Sequence, residues 1–244
     1  MSEMNIVATP HPPPSTSSAM KQQNRPAWFI TGTDTEVGKT FTTRALLLLL
    51  RNRGFRAIGM KPVAAGTDAN GKNDDVEQLI TASGVEAPKT LINPYLFHPA
   101  IAPHIAAAEA GETIDIGRIT AAFEQLRGMA DAVLVEGVGG FCVPLDRHSD
   151  AADLAERLGL PVILVVGMRL GCINHALLTC QAIAARGLTL DGWVANRIDP
   201  AMPRFEENLQ SLRERITAPL LGIIPPASTP EAAAHCLRLP SESA

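Results

Sequence analysis

Gly38, Lys39 and Thr40 stand between a short apolar run (Trp28, Phe29, Ile30) and a helix-forming stretch that reaches about Arg51. Strand, Gly- and Thr-rich turn, Gly-Lys-Thr, helix is the context of a phosphate-binding loop. The chemistry needs these residue types. Gly38 lets the backbone approach an anion with no side chain in the way. Successive backbone N–H groups and the positive end of the helix dipole cradle phosphate. Lys39 can reach the terminal phosphates, and Thr40 can place a hydroxyl on Mg²⁺. The loop is a variant: Thr33 stands at the usual first glycine, and Gly32 precedes it by one residue. The competing reading is an ordinary strand-to-helix turn that happens to carry these residues, and the fit of both flanks argues against it.

Other charged residues fall where such a site would need them. Lys61 follows the apolar segment 57–60, at a strand end of the kind where open α/β sheets place ligands. Asp74 and Asp75 lie at the start of a helix expected over 76–81. They either cap that helix or ligate Mg²⁺ beside the phosphates, and the sequence leaves both open. Glu136 closes the apolar strand 132–135 and is followed by Gly137, Val138, Gly139 and Gly140. A strand-end carboxylate before glycines suits Mg²⁺ near a nucleotide; the plainer alternative is a turn cap. His98 and His104 lack a partner at metal-ligand spacing and read as structural or surface residues.

The elements that must position these groups alternate along the chain. Strands are expected at 28–30, 57–60, 132–135, 161–166, 190–196 and 220–224. Helices are expected at 38–51, 76–81, 116–129, 151–158, 171–186 and 205–216, with a short one at 232–236. Residues 88–103, rich in proline, read as an irregular excursion. The pattern implies one α/β domain with a mostly parallel, doubly wound sheet of P-loop NTPase type. Residues 1–26 read as a disordered tail, 27–227 as the domain and 228–244 as a partly helical tail.

Composition narrows the class. The chain has 244 residues, 46% hydrophobic but only 4% aromatic, so its core should be aliphatic. Net charge is -4, with no basic run, which argues against nucleic acid as a partner. The apolar stretch at 45–50 is too short to span a bilayer. The four cysteines are scattered and read as small hydrophobes in a reducing cytosol, giving a cytoplasmic expectation.

Taken together, several segments resemble the dethiobiotin synthetase family: TGTDTEVGKT at 31–40, GMKPV at 59–63, NPY at 93–95, PHI at 103–105, VLVEGVGG at 133–140, LPVILVVG at 160–167, LGCINHA at 170–176 and GWVAN at 192–196. The resemblance implies an ATP-dependent ligase of biotin biosynthesis. It would carboxylate 7,8-diaminopelargonic acid with CO₂ and close the ring through a carbamate and a carbamic–phosphoric anhydride. Dethiobiotin, ADP and phosphate are the products. It implies Lys39, Lys61 and Thr35 as catalytic residues, and Thr40, Asp75 and Glu136 as Mg²⁺ ligands. Glu36, Val37, Gly38, Lys39, Thr40 and Phe41 would contact ATP, as would Asp75, Glu136, Gly137, Val138 and Gly139. Asn196 would read the adenine edge, with Arg197, Pro225, Pro226 and Ala227 beside it. Lys61 and Ala65 would face the substrate. A homodimer is implied, with Gly171, Cys172 and Asn174 of the partner subunit receiving the substrate's carboxylate. Small molecules are the implied partners, with no nucleic acid and no membrane.

The chain departs from the family pattern in places. Ala65 stands where Ser or Thr is usual, so Thr67 or water would have to supply a hydroxyl. Arg169 replaces a frequent Lys, Arg197 a frequent acid, and Pro226 with Ala227 a bulkier pair. Two rival classes are weighed. Amide-forming cofactor synthetases usually add a glutaminase domain, for which the chain has no room. Switch-type P-loop ATPases carry an extra lysine early in the loop, and residues 33–37 contain none.

Overall fold

β1 (Ala27–Gly32) holds the apolar run that precedes Gly38-Lys39-Thr40, and every residue of it is buried. Its side chains alternate in allegiance. Trp28 and Ile30 pack with α1 (Lys39–Asn52), while Phe29 packs with α5 (Ile116–Met129). Parallel strands between two helix layers are buried on both faces, which is why they read as unbroken apolar runs. The structure, a computed structural model, describes residues 25–242. The expectation of disorder for 1–26 lies outside these, apart from Arg25 and Pro26. Arg25 donates to the backbone oxygens of Arg127, in the last turn of α5, and Ala130, just past it.

β1 is joined by β2 (Ala57–Met60), β5 (Ala132–Glu136), β6 (Val162–Gly167), β7 (Leu190–Asn196) and β8 (Leu220–Ile224). They form one six-stranded sheet in the order β2-β5-β1-β6-β7-β8, with all pairings parallel. α1, α2 (Asp74–Ala82) and α9 (Pro230–His235) contribute to the core on one face. α5, α6 (Ala151–Leu158), α7 (Cys172–Ala185) and α8 (Phe205–Arg215) contribute to the core on the other. Among the described residues no helix is long and apolar enough to cross a membrane.

Because all six strands run the same way, their C-terminal ends share one edge. The chain leaves β1 for β2, returns to β5, then crosses β1 to reach β6. Connections that diverge from a central strand open a crevice at its C-terminal end. The phosphate-loop candidate, Lys61 and Glu136 all lie at that edge.

One region differs from expectation. Residues 88–103 are ordered into α3 (Lys89–Ile92), β4 (Tyr95–Phe97) and the start of α4 (Pro103–Glu109). β4 pairs in parallel with β3 (Val63–Ala65) in a separate two-stranded sheet. Elements of three or four residues are too short to show a period, so the prolines alone suggested irregularity. The helix expected at 76–81 also begins earlier. Asn73 caps it, its side chain accepting from Val76 N at 3.2 Å, which places Asp74 and Asp75 inside the first turn.

Candidate functional site

The loop between β1 and α1 is built to leave backbone N–H groups free. Gly38 is the N-cap residue of α1 with φ of 84°, and no side chain caps the helix. α2, α5 and α6 by contrast are each capped by an Asn or Asp side chain. No acidic residue occupies the first turn of α1. A helix N-terminus with no side-chain cap and no acidic residue of its own in the first turn favours an anion from outside the helix. A Cβ on Gly38 would lie 2.2 Å from Asn196 Nδ2, so glycine is required by space as well as by φ. Asn196, at the end of β7, donates to Val37 O at 2.9 Å and so braces the loop.

The charged candidates meet at this point. Lys61 Nζ is 2.6 Å from Glu136 Oε1 and 3.0 Å from Asp75 Oδ2. Thr40 Oγ1 donates to the same Glu136 oxygen at 2.6 Å. Lys39 Nζ donates to Asp34 O at 2.8 Å, within the loop. Glu136 is fully buried, and its other oxygen, Oε2, has no partner among the described residues. Burial pushes the Lys39 ammonium down, and repulsion from Lys61 adds to this, bringing its pKa to about 8. Burial also acts to lower Lys61, but the Glu136 and Asp75 carboxylates outweigh it and leave that pKa above the usual lysine value. For Asp75, burial works upward and the Lys61 ammonium outweighs it, holding the carboxyl below its usual range.

A cavity of about 840 Å³ opens over this cluster. Thr35, Glu36, Gly38, Lys39, Thr40 and Phe41 form one side. Lys61, Ala65 and Asp75 face it, and Val138 and Gly139 close another side. The sequence reading missed the apolar wall made by Ala64, Ala100, Ile101, Ala102 and Pro103. Only the PHI motif at 103–105 pointed towards it. Also missed was Asp34, whose carboxylate pairs with Arg169 at 2.6 Å and accepts from Thr35 N at 2.8 Å. Thr67 is not available in place of a hydroxyl at Ala65: its Oγ1 is 2.5 Å from His98 Nδ1, and it lies outside the cavity.

Some candidates are elsewhere. Val37 is buried beneath the loop. Gly137 follows Glu136, donates to Ile30 O at 2.9 Å and does not line the cavity. The guanidinium of Arg197 stacks on the Phe205 ring at 4.7 Å and donates to Pro200 O at 3.1 Å, so it is engaged on the α8 side. Pro225, Pro226 and Ala227 follow β8 at the same sheet edge, with Ala227 in a left-handed conformation at φ of 52°. Gly171, Cys172 and Asn174 start α7 and do not line the cavity of their own chain.

An AAA-domain family model matches residues 27–233. The ATP-dependent dethiobiotin synthetase BioD of Aromatoleum aromaticum is 60% identical over 219 residues, covering 88% of this chain and 97% of that one. The chain belongs to the dethiobiotin synthetase family. With that family it belongs to the ligases. The BioD enzyme of a Janthinobacterium species is 54% identical over 213 residues, 84% of this chain and 90% of its own. A ParA family ATPase from Chlorobium tepidum matches in fold, with TM-score 0.51 and 12% identity, over 82% of this chain and 84% of that one. The signal recognition particle receptor FtsY from Elizabethkingia anophelis has TM-score 0.51 and 16% identity, over 89% of this chain and 62% of that one. These two likenesses concern architecture, a P-loop NTPase sheet.

Proposed function

We propose that this chain is an ATP- and Mg²⁺-dependent dethiobiotin synthetase acting on 7,8-diaminopelargonic acid and CO₂. The observation that carries the reading is the meeting of Lys39, Lys61, Asp75 and Glu136 beside an uncapped helix N-terminus, in a chain 60% identical to such an enzyme. One amine of the substrate captures CO₂ as a carbamate. A carbamate oxygen attacks the γ-phosphorus and ADP leaves. The second amine attacks the carbonyl carbon of the mixed anhydride, and phosphate departs as the ring closes.

The residues match what those steps demand. Carbamate and triphosphate are both anions, and their approach needs cations aimed at the charge that develops. Lys39, on the loop, would hold the terminal phosphates. Lys61, rooted opposite, would lie between carbamate and γ-phosphate. The two ammonium groups are balanced by the two carboxylates, so the charge of a triphosphate stays uncompensated without a further cation. The oxygen set of Thr40, Asp75 and Glu136 fits Mg²⁺, and the unpartnered buried Glu136 Oε2 is an acceptor awaiting one. Mg²⁺ would take its remaining ligands from phosphate and water. When bound, Mg²⁺ would supply charge neutralisation of the phosphates. Ala64, Ala65, Ala100 and Ile101 offer apolar surface to the substrate's hydrocarbon chain.

We also infer a homodimer. Leu170 is 88% exposed just before α7 and Leu178 56% exposed midway along it, apolar surface that a second copy would cover. The test of the main reading is phosphate release from ATP, Mg²⁺ and bicarbonate, with and without the diamine. Diamine-dependent release with dethiobiotin of matching mass supports it; diamine-independent hydrolysis, or none, overturns it. Lys61→Ala should abolish turnover while ATP still binds.

A further inference from the structure

Most of the buried polar residues serve the site or the loop, but Asn93 has no part in the chemistry above. It belongs to the NPY stretch at 93–95, between α3 and β4, and is 7% exposed. Its Nδ2 donates to Lys61 O at 2.7 Å and to Tyr95 O at 2.9 Å. From these bonds we infer that Asn93 is a positioning residue for Lys61, fixing the point from which that lysine reaches the reacting groups. The inference rests on the proposed role of Lys61.

The reason lies in how the chain leaves the sheet. β2 is an edge strand, and Lys61 is the first residue past its end. Its N–H is satisfied by Ile92 O at 2.9 Å. Pro62 follows, which offers no N–H and restricts Lys61 to extended conformations. The Lys61 carbonyl therefore has no strand partner to anchor it, and Asn93 supplies the donor. The other amide hydrogen ties the same side chain to the start of β4. Tyr95 N donates to Pro62 O at 3.1 Å, and the Tyr95 hydroxyl accepts from Asp115 N at 2.8 Å. The root of Lys61 is thus stapled to a rigid cluster on three sides.

Lysine has a long, freely rotating stem, so its ammonium is placed well only if its backbone is. Here Nζ must meet Glu136 and Asp75 at once. The donor end of Asn93 is the part in use, since Nδ2 bonds to the backbone oxygens of both Lys61 and Tyr95. Without it, the buried Lys61 carbonyl is orphaned and its peptide plane is free to tilt, shifting the whole lysine.

The experiment compares full-length wild type, Asn93→Ala and the isosteric Asn93→Asp, which keeps the shape but loses both donors. Steady-state kinetics with the diamine are paired with competitive acetylation of lysines read by mass spectrometry without substrates. The expected result is a fall in kcat of roughly 30- to 100-fold, the scale of a misplacement near 1 Å, with KM for ATP within twofold. Lys61 acetylation should rise at least fivefold while Lys39 is unchanged. Unchanged kcat and unchanged Lys61 labelling in a folded variant would overturn the inference. So would a kcat loss that only follows the folded fraction measured by circular dichroism. If Asn93→Ala does not fold, the same criteria apply to Asn93→Asp. If neither folds, Asn93 is a folding residue and the inference falls. Wild type without diamine-dependent turnover would instead count against the function itself, whereas the labelling result still reports on the staple.

Discussion

Glu136→Gln removes one charge from the centre of the site while keeping its shape and an acceptor oxygen. Glu136 is fully buried, and its Oε1 receives both Thr40 and Lys61 at 2.6 Å. Breaking a buried ion pair and leaving its partner uncompensated costs about 3–5 kcal/mol. Two features reduce that figure here. The Gln oxygen still accepts both bonds, and Asp75 remains 3.0 Å from Lys61, although its side chain is 42% exposed and so partly screened. The expected net loss is about 2 kcal/mol, one retained hydrogen bond being worth about 1 kcal/mol. Urea unfolding in metal-free buffer, followed through the buried Trp28 and Trp193, measures it. Asp131→Asn, which disturbs an exposed pair with Arg56, is the control and should change stability by under about 0.5 kcal/mol. Glu136→Gln should also raise the Mg²⁺ concentration for half-maximal turnover by at least about tenfold, or about 1.4 kcal/mol. Wild-type stability in Glu136→Gln would mean that desolvation cancels the attraction, refuting the role of Glu136 as countercharge to Lys61. An unchanged Mg²⁺ requirement would remove Glu136 from the metal ligands.

Other expectations follow from single features. Gly38→Ala places a side chain at φ of 84° against Asn196, and nucleotide binding by calorimetry should weaken at least about 100-fold, whereas a Kd within threefold of wild type would sink the loop geometry. Arg186 joins Asp150 at 3.1 Å and also Asp153 near the start of α6, on a partly exposed surface, so Arg186→Ala should cost only about 1 kcal/mol at pH 7. For Asp153, burial pushes its carboxyl up, but backbone and Arg186 hydrogen bonds outweigh this and hold it below the usual value. The stabilisation is therefore present above the ordinary Asp pKa of about 4 and lost as pH falls through the depressed native value. The gap between wild type and variant should close in acid, and a gap that widens there would refute the assignment. Among the cysteines, Cys142 and Cys236 are exposed and Cys172 is buried. Burial, with Asp150 beside it, pushes the Cys142 thiol up, so iodoacetamide at pH 7.5 should modify Cys236 first, then Cys142, and Cys172 last. Early modification of Cys172 would contradict the packing of α7.

Much of this protein was legible in its sequence because the signals are local. An apolar run such as 132–135, short and bounded by turn residues, reads as a buried strand, whereas the run at 45–50 continues a helical stretch, and all six strands of the main sheet were expected from such bounded runs. Gly38, Lys39 and Thr40 raise the expectation of an anion site through backbone geometry that adjacent residues impose on one another. Alternating strands and helices leave a parallel sheet as the economical solution, and with it a shared edge for Lys61 and Glu136. Tertiary structure decided what depends on distance. Thr40 and Glu136 are 96 positions apart, Lys61 and Glu136 75, and nothing local sets 2.6 Å between them. Asn73, not Asp75, caps the helix, and the Asp75 carboxylate pairs with Lys61 at 3.0 Å, a contact that the local sequence does not show. The small β3–β4 sheet was invisible because its strands have three residues each and are joined by pairing rather than by pattern. Asn93 is the sharpest case. An asparagine before a proline reads as a turn, and only the folded chain carries its amide to the carbonyl of Lys61, 32 positions away.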